Sequence, residues 1–544
     1  MGSRNRAFLA LLFAFCVFAA ACGSGDDDAT GDEATEVGEG ETTDEGSSDD
    51  AEGTDSEDDE SEAAPAGDVD RDATLVYATS FVTNSLDVPN VGTDFSFHYV
   101  NAIYDTLVRR LDSGELVPAV ATEWEVAPEA ITFTIAEGRT FHDDTPLDAE
   151  AVKANIDRII NCECRFAPLL ESIESVEAVD NQVILNLATP AASLLEVLSD
   201  IPGMLASPAS FGNDDLDVNP VGSGPYTVRE YTDGGVKYDR WDGYYDAENT
   251  LHAAVEIRSI PDDNTRMSGL LSGEIDAAIA RLGQLGEAEA GGLNIEIGVQ
   301  AQIYQLALET DREPLANPDV RRAISHAIDR EAINQGLYDG NCTPSVQPYP
   351  EGFPGHAAGG TVEEYGAFDL ELARQLMADA GYADGFSITM GAPAITNYTN
   401  QLEIYQAQLA EIGITVEAIP DEGRTFVDRL VAGEYDSWLG PNTTARPSTI
   451  AYWTNYYAPG GARNAGGYEL PGVDELLASA EAAPTLEDQA PILEEMVMTS
   501  LDEGARNIVV CLPQIVTVFN DNISGVAVSL VGGGGIRDYA KSSG

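Results

Sequence analysis

The chain has 544 residues, and 94 acidic against 27 basic side chains give it a formal net charge of −67. A surface so negative repels nucleic acid and anionic lipid, so neither is expected as a partner. The length allows about two or three folded domains.

The first element is an apolar run, residues 7–21, which follows two arginines and ends in small residues before Cys22. It is too short for a mature membrane-spanning helix and has the layout of a secretory signal peptide, which we place at residues 1–21. The letters "FAAAC" resemble a bacterial lipobox, in which cleavage frees the cysteine for lipidation. Ala19 stands where leucine is usual, so cleavage without lipidation remains an alternative. We expect Cys22 to carry a lipid that anchors the protein to the outer face of the cell membrane.

The next segment, residues 22–72, consists almost wholly of Asp, Glu, Gly, Ser, Thr and Ala. Such a segment repels itself and cannot bury enough apolar surface to offset the entropy of ordering. We therefore expect a disordered acidic stalk, with a binding role for the acidic run as the alternative.

Four cysteines remain in the body that follows: Cys162, Cys164, Cys342 and Cys511. Outside the cytoplasm an even number of thiols favours disulfides, and four cysteines allow three pairings. A zinc site is disfavoured because one pair alone is close in sequence and no histidine flanks it. The preferred pairing is Cys162 with Cys164 and Cys342 with Cys511.

The loop "NPVGSGPYTVREY", Asn219–Tyr231, has the composition of a phosphate-binding or nucleophile-bearing turn. A phosphate cradle needs a helix after the glycines, whereas here an alternating strand pattern leads into "GGVKYDRW". Ser223 has no partner base in the sequence pattern. We therefore interpret the loop as a structural turn before a hairpin.

Two ten-residue segments match each other without a gap: "LLSGEIDAAI", Leu270–Ile279, and "LVAGEYDSWL", Leu430–Leu439. Each pattern predicts a helix end, a glycine turn and a short strand, although chance similarity of two such connections is the alternative. Between the two copies, "FSITMGAP" and "ITVEAI" alternate around a helical pattern, which predicts parallel strands. Two similar α/β lobes leave a cleft beyond the carboxyl ends of their strands, here near Ala280 and Gly440.

The stretch Leu116–Ile159, which includes "ITFTIAEGRTFHDDTPL", resembles the signature region of the family 5 extracellular solute-binding proteins. These are the peptide, opine and nickel type that serve ABC importers. Further motifs agree in the family order: "NSLDVPN", "IYDTLVRR", "NPVGSGPYTV", "DGYYD", "SGEIDAA", "NPDVRRAISHAIDREAI", "AGYADG" and "AGEYD".

The resemblance implies an α/β protein with the two-lobed fold of periplasmic binding proteins, of the large type II class. Lobe 1 then contains an extra subdomain, and the chain crosses twice between the lobes, near Gln300 and Val516. We place lobe 1 at residues 73–300 with the subdomain at about 105–218, lobe 2 at 301–515, and a return to lobe 1 at 516–544.

Two motifs of this region could be mistaken for sites. The "FHDD" turn, with His142, Asp143 and Asp144, resembles a structural hairpin in which the family has glycine at the last position. Aspartate tolerates a left-handed backbone less well than glycine, so we expect strain there and no metal. The pattern "VRRAISHAIDREAI" predicts one core-packing helix, with His326 and Asp329 as a surface pair.

The resemblance implies a monomeric receptor without catalytic activity, cofactor or metal, which closes on its ligand and delivers it to the permease and ATPase of an ABC importer. The chain has no His-Glu-x-x-His and no Gly-x-Ser-x-Gly motif. The alternative is a secreted hydrolase or a ligand-sensing receptor domain on the same scaffold.

The ligand class stays open among peptide, sugar, organic anion and metal chelate. Peptide-binding members place an aspartate after the motif that here reads "AGEYD", but this chain has no acid between Ser437 and Tyr457 and has Arg446 instead. A guanidinium favours a carboxylate or another anionic group, unless Arg446 pairs with an acid of the surface. The ligand-binding residues expected from position are Phe81, Asn84, Arg165, Trp438, Asn442, Arg446, Tyr452 and Trp453.

Overall fold

The structure is a computed structural model that describes residues 69–92, 96–112, 114–444, 446, 448–461, 463–528 and 535–543, without the side chains of 396, 423, 424 and 441–443. All of them belong to one unit, Glu62–Gly544. The predicted signal peptide, Cys22 and the stalk up to residue 68 lie outside the described residues. At Val69 the chain already pairs with Ser542.

The secondary structure alternates between strands and helices along most of the described chain. The strands are β1 (Thr74–Thr79), β2 (Val108–Arg110), β3 (Leu116–Pro118), β4 (Ala121–Ala127), β5 (Ala130–Ile135), β6 (Ile173–Val179), β7 (Gln182–Leu187), β8 (Tyr226–Thr232), β9 (Gly235–Arg240), β10 (Ala254–Ser259), β11 (Ala277–Ala280), β12 (Asn294–Val299), β13 (Gln302–Leu308), β14 (Cys342–Pro344), β15 (Phe386–Pro393), β16 (Ile414–Asp421), β17 (Ser437–Thr443), β18 (Asn507–Phe519), β19 (Ile523–Ser524) and β20 (Ala540–Lys541). The helices are α1 (Phe97–Val100), α2 (Ala149–Ile160), α3 (Leu194–Val197), α4 (Asp263–Leu271), α5 (Leu285–Ala290), α6 (Pro318–Ala327), α7 (Arg330–Tyr338), α8 (Val362–Tyr365), α9 (Leu370–Asp379), α10 (Thr396–Ala410), α11 (Gly423–Val431), α12 (Ala451–Tyr456), α13 (Val473–Ala482) and α14 (Leu486–Asp502).

The main sheet has the strand order β16-β15-β17-β13-β18-β11-β1-β10-β9-β8, and β12 and β14 also pair with β18. Strand β18 belongs to both lobes. Residues 507–511 of β18 pair with β13, and residues 514–519 pair with β12. The chain therefore passes between the lobes at two adjacent places, along β12 into β13 and along β18.

The hydrophobic core is divided between the same parts of the chain. Two clusters draw their buried residues from positions 75–288 and 516–539. The two other clusters draw theirs from positions 301–512. We keep the names lobe 1 and lobe 2 for the residue ranges given above, and each lobe has its own core.

The two matching segments form the same structure. In lobe 1, α4 ends at a glycine turn with φ 74° at Gly273 and leads into β11; in lobe 2, α11 ends at Gly433, with φ 65°, and leads into β17. The carboxylate of Asp276 accepts the N–H of Val76 in β1 at 2.8 Å. The carboxylate of Asp436 accepts the N–H of Thr389 in β15, also at 2.8 Å. The shared aspartate therefore joins each new strand to its parallel neighbour.

A separate antiparallel sheet, β4-β5-β7-β6, lies within the range predicted for the extra subdomain and packs against α2. In the turn that precedes α2, Asp144 has φ 63°, so the aspartate occupies the left-handed conformation for which a glycine was expected. The N–H of Asp144 donates to the carbonyl of Phe141 at 3.0 Å, which closes the turn.

The loop Asn219–Tyr231 is a packing turn, as the sequence predicts. The N–H of Gly224 donates to the carbonyl of Ile103 at 2.7 Å, and a Cβ atom on Gly222 would lie 2.1 Å from the same oxygen. Ser223 is buried, and its hydroxyl donates to the carbonyl of Leu205 at 2.9 Å. The glycines are required by close approach of the backbone, and β8 and β9 form the expected hairpin.

Two predictions for lobe 2 are wrong, and both predicted disulfides are formed. The prediction of one continuous helix is wrong. The segment is divided into α6 and α7, because Asp329 accepts the N–H of Ala332 and so caps a second helix. The expected surface pair of His326 with Asp329 is wrong as well, since the ring of His326 contacts the carbonyl of Ala367 at 2.8 Å.

The disulfides Cys162–Cys164 and Cys342–Cys511 are both formed, and the second joins β14 to β18.

Candidate functional site

Of the three site residues that were expected in lobe 1, Phe81 and Asn84 lie in the loop after β1, and Arg165 contacts the same loop. Both ends of the Asn84 amide bind backbone: its nitrogen donates to Asn90 and its oxygen accepts the N–H of Gly92 at 2.9 Å. The guanidinium of Arg165 donates to the carbonyl of Gly92 at 3.3 Å and lies over the ring of Phe166. Asn84 and Arg165 therefore both bind the backbone of this loop.

Phe81 lies at the start of this loop, partly buried. Its ring is 6.0 Å from that of Tyr99 in an edge contact, and its carbonyl accepts the hydroxyl of Tyr99 at 2.5 Å. Thr79 donates to the same carbonyl. The position of Phe81 is thus held by two hydroxyl groups of the lobe 1 core.

The aromatic residues expected in the site belong to the core of lobe 2. Trp438 in β17 stacks on Tyr456 with ring centres 5.9 Å apart. Trp453 donates its indole N–H to Tyr349, and the hydroxyl of Tyr452 accepts from Asn507 at 3.1 Å. Asn442 pairs through its backbone with β13, and its side chain lies outside the described part of the chain.

Arg446 is paired with an acid from the opposite lobe. Its Nε donates to Asp200 at 2.7 Å, and Nη2 donates to the other oxygen of the same carboxylate. The exposed fractions of the two side chains are 7% and 10%. The guanidinium also lies over the ring of Phe97, 5.0 Å from its centre. The alternative that Arg446 pairs with an acid is therefore what the structure shows, although that acid is buried and comes from lobe 1.

A second buried acid, Glu196, makes a parallel contact between the lobes. It accepts the N–H of Thr449 at 2.9 Å from lobe 2 and the guanidinium of Arg110 at 2.9 Å from its own lobe. Burial raises the pKa of Glu196, and the charge of Arg110 opposes that shift. Burial likewise lowers the pKa of Arg110. Two carboxylates and two guanidinium groups are thus withdrawn from water together at the junction of the lobes.

The local sequence explains how these acids reach the junction. Glu196 lies in the short helix α3, and Asp200 caps the turn that follows by accepting the N–H of Ile201. A Cβ atom on Gly203 would lie 1.8 Å from the carbonyl of Leu198, so only glycine fits this turn. The segment therefore folds back sharply after Asp200.

The sequence motifs do not single out four residues of the junction: Arg110, Glu196, Asp200 and Thr449. A signal for the acids was present, because "SLLEVLSDI" places two carboxylates four residues apart in an apolar stretch. Buried acids need partners, so such a stretch indicates a buried ionic contact. The partners of these acids could not be predicted from the neighbouring sequence, since Arg446 is 246 residues from Asp200.

In the part of the chain that the structure describes, no group of three or more His, Cys, Asp or Glu side chains could hold a metal ion. None of the helices in the described ranges is long and apolar enough to cross a membrane.

Comparison with known families gives a match over residues 115–464 to the bacterial extracellular solute-binding proteins, family 5. The chain is similar to a glutathione-binding protein GsiB of Pectobacterium atrosepticum, with 25% identity over 437 residues, which cover 75% of this chain and 82% of the relative. It is also similar to the GsiB protein of Escherichia coli K12, with 26% identity, 75% of this chain and 83% of the relative.

Solved structures share the fold. The binding protein AgaA of A. tumefaciens R10, in complex with agropinic acid, has a TM-score of 0.74 and 24% identity, over 87% of this chain and 99% of AgaA. The dipeptide-binding protein of Pseudoalteromonas sp. SM9913, in complex with Met-Leu, has a TM-score of 0.72 and 23% identity, over 86% of this chain and 100% of that protein.

Proposed function

Because the chain belongs to the bacterial extracellular solute-binding proteins of family 5, which are the extracytoplasmic substrate-binding components of ABC importers, we propose that it captures a small organic solute between lobe 1 and lobe 2. Contacts from both lobes favour the closed form, and the closed form gives the permease a surface to recognise. The importer's ATPase supplies the energy for transport.

The observation that carries this proposal is that buried groups of the two lobes bind each other: Asp200 forms an ion pair with Arg446, and Glu196 accepts the N–H of Thr449. Buried charges that face each other across two separate cores require a defined relative position of the lobes. Each of the two matching units ends in a strand. One of these strands, β11, belongs to lobe 1, and the other, β17, belongs to lobe 2.

We propose further that the solute carries a carboxylate and that Arg446 contributes to its binding. The two-pronged hydrogen bonds of Arg446 to the carboxylate of Asp200 support this proposal, because the same guanidinium geometry fits a carboxylate of a solute. Similar proteins are described as binding glutathione, agropinic acid and the dipeptide Met-Leu, which is consistent with such a solute. The other proposed contacts are Phe81, Asn84, Arg165, Trp438, Asn442, Tyr452 and Trp453.

The attachment to the cell is proposed from the sequence. A signal peptide over residues 1–21, a lipid on Cys22 and an acidic stalk would hold the monomeric receptor on the outer face of the membrane. Mass spectrometry of the protein from its own host tests this: a lipid on the first residue of a chain that starts at Cys22 is expected, and an unmodified chain would contradict it.

The function is tested by a thermal-shift panel of dipeptides, glutathione, opine-type acids and oligosaccharides, with the product mixtures analysed by mass spectrometry. We expect carboxylate-bearing solutes to raise the melting temperature and to be recovered unchanged. Arg446→Gln should weaken that stabilisation, whereas the exposed Arg374→Gln is the matched control. Turnover of a compound would instead support a secreted hydrolase on this scaffold, and stabilisation by uncharged sugars alone would contradict the role of Arg446.

A further inference from the structure

One short segment of lobe 1, residues 192–200, makes hydrogen bonds to three separate positions of lobe 2. We call it the docking segment. At its start, the N–H of Ala192 donates to the carbonyl of Glu481 at 2.9 Å, and the hydroxyl of Ser193 donates to the carboxylate of Glu481 at 2.7 Å. The contacts of Glu196 with Thr449 and of Asp200 with Arg446 follow along the same segment.

The three contacts are held by different parts of lobe 2. Glu481 lies near the end of α13, Thr449 precedes α12, and Arg446 follows β17. A rigid segment that meets three such points fixes both the distance and the rotation between the lobes. A single contact would leave the rotation free.

At the far end of the docking segment, a negatively charged side chain is paired with a positively charged side chain of lobe 2. Asp200 and Arg446 form a buried two-pronged pair, and Glu196 has Arg110 of its own lobe as its partner. When the lobes separate, Asp200 and Arg446 regain water, so the pair adds little net free energy to closure. When the lobes close out of register, both charges would be buried without a partner, which is strongly unfavourable.

We infer that the docking segment determines the register in which the lobes close, and that the pair of Asp200 with Arg446 favours this register over others. The inference rests on the proposed closure of the two lobes, but not on the identity of the ligand. Asp200 is thus a positioning residue, because it holds the guanidinium of Arg446 in place.

The test is a charge exchange in the full chain without ligand. The parent, Asp200→Arg, Arg446→Asp and the double variant each receive a pair of spin labels at Val179→Cys in lobe 1 and Phe368→Cys in lobe 2. These positions are 48% and 49% exposed, and they lie outside the junction. Double electron–electron resonance then gives the distribution of distances between the lobes.

We expect one narrow distance peak in the parent, a broader distribution at longer distances in each single variant, and a return towards the narrow peak in the double variant. Identical distributions in all four proteins would overturn the inference. A double variant that stays as broad as the single variants would overturn it too.

A matched control separates loss of the lobe contact from general loss of structure. Arg158 and Asp87 form a two-pronged, partly buried pair within lobe 1, at 2.8 and 2.7 Å. Asp87→Asn should leave the distance between the lobes unchanged. If a single exchange variant fails to fold, Asp200→Asn, which removes the charge at nearly constant volume, takes its place and is expected to broaden the distribution.

The two proposals fail in different ways. If a solute stabilises the protein while the four distance distributions are the same, the receptor function stands and the register inference is wrong. If the exchange changes the distances while no solute of the panel binds, the register inference stands and the proposed ligand class is wrong.

Discussion

At the scale of single residues, the contacts between the two lobes are explained by buried charged side chains more than by aromatic side chains. The sequence directs attention to Trp438, Tyr452 and Trp453, but their rings pack in the core of lobe 2. Glu196 and Asp200 lie in an apolar stretch that reads as ordinary core, yet they reach the opposite lobe. A buried carboxylate in an apolar segment is thus the more specific indication of a contact between lobes.

The raised pKa of Glu196 predicts a pH dependence of stability. A carboxyl that holds its proton more tightly in the folded than in the unfolded state contributes stability that is complete below the usual glutamate pKa, about 4.3, and is lost as pH rises through the raised value. Glu196→Gln removes this titration. We expect the free energy of unfolding of the variant, relative to the parent, to increase with pH above about 4.3.

Urea unfolding between about pH 4 and 7 measures this difference, with the exposed Glu129→Gln as the control for background changes. A difference between Glu196→Gln and the parent that is constant, or that falls as pH rises, would be inconsistent with a raised pKa.

At the scale of elements, the unit of helix, glycine turn, aspartate and strand is the part of the fold that the sequence predicts best. All of its determinants lie within ten residues, and they are a left-handed glycine and an acid that binds the neighbouring strand. The division of one predicted helix into α6 and α7 was missed, because the apolar spacing continues across Asp329, which caps the second helix. The pattern of apolar residues alone does not distinguish a continuous helix from two helices on one core face.

The two aspartates of the repeated unit should contribute similarly to stability. Asp276→Ala and Asp436→Ala each remove a charged acceptor from a backbone N–H of a parallel strand, and we expect each to lower the free energy of unfolding by about 1.5–3 kcal/mol. The glutamate of the same motif is the control: Glu274 is 72% exposed, and Glu274→Ala should cost less than about 1 kcal/mol. Equal losses for Asp276→Ala and Glu274→Ala in urea titrations would refute the assigned role.

The two disulfides differ in the length of chain that they close. Cys342–Cys511 spans 169 residues and joins β14 to β18, whereas Cys162–Cys164 spans two. In the chain-entropy account, a longer closed loop constrains the unfolded state more. We expect the double replacement Cys342→Ser with Cys511→Ser to lower the free energy of unfolding by about 2–5 kcal/mol.

Replacement of Cys162 and Cys164 by serine serves as the comparison and should cost less. Equilibrium unfolding in guanidinium chloride gives both values. A larger loss from the short ring than from the long one would show that strain or packing, and not chain entropy, sets the contribution.

At the scale of the whole molecule, the family, the two lobes and the import function follow from the order of many weak motifs along the chain. The pairing of the lobes does not, since Ser193 and Glu481 are 288 residues apart and Asp200 and Arg446 are 246 apart. No periodicity connects such distant positions. A sequence therefore indicates that a cleft exists before it indicates which residues close it.

Part of the net charge of −67 belongs to the acidic segment 22–72, but the folded body also has a large excess of acidic side chains, which predicts a strong effect of salt. Like charges repel one another in the compact folded state, and added salt screens this repulsion. We expect the melting temperature to rise when sodium chloride is increased from about 0.05 M to about 1 M, a range in which the screening length falls several-fold. Sucrose at equal osmolality is the control, and a melting temperature that falls with salt would show that attractive ion pairs outweigh the net repulsion.

Strand β18 has a consequence for the way in which the protein denatures. Its residues 507–511 complete the sheet of lobe 2, and its residues 514–519 complete the sheet of lobe 1. Loss of either lobe would leave half of this strand with unpaired backbone groups, and it would remove the neighbour that holds the other half in place. Although each lobe has its own core, the two should therefore melt in one cooperative transition and not as independent domains.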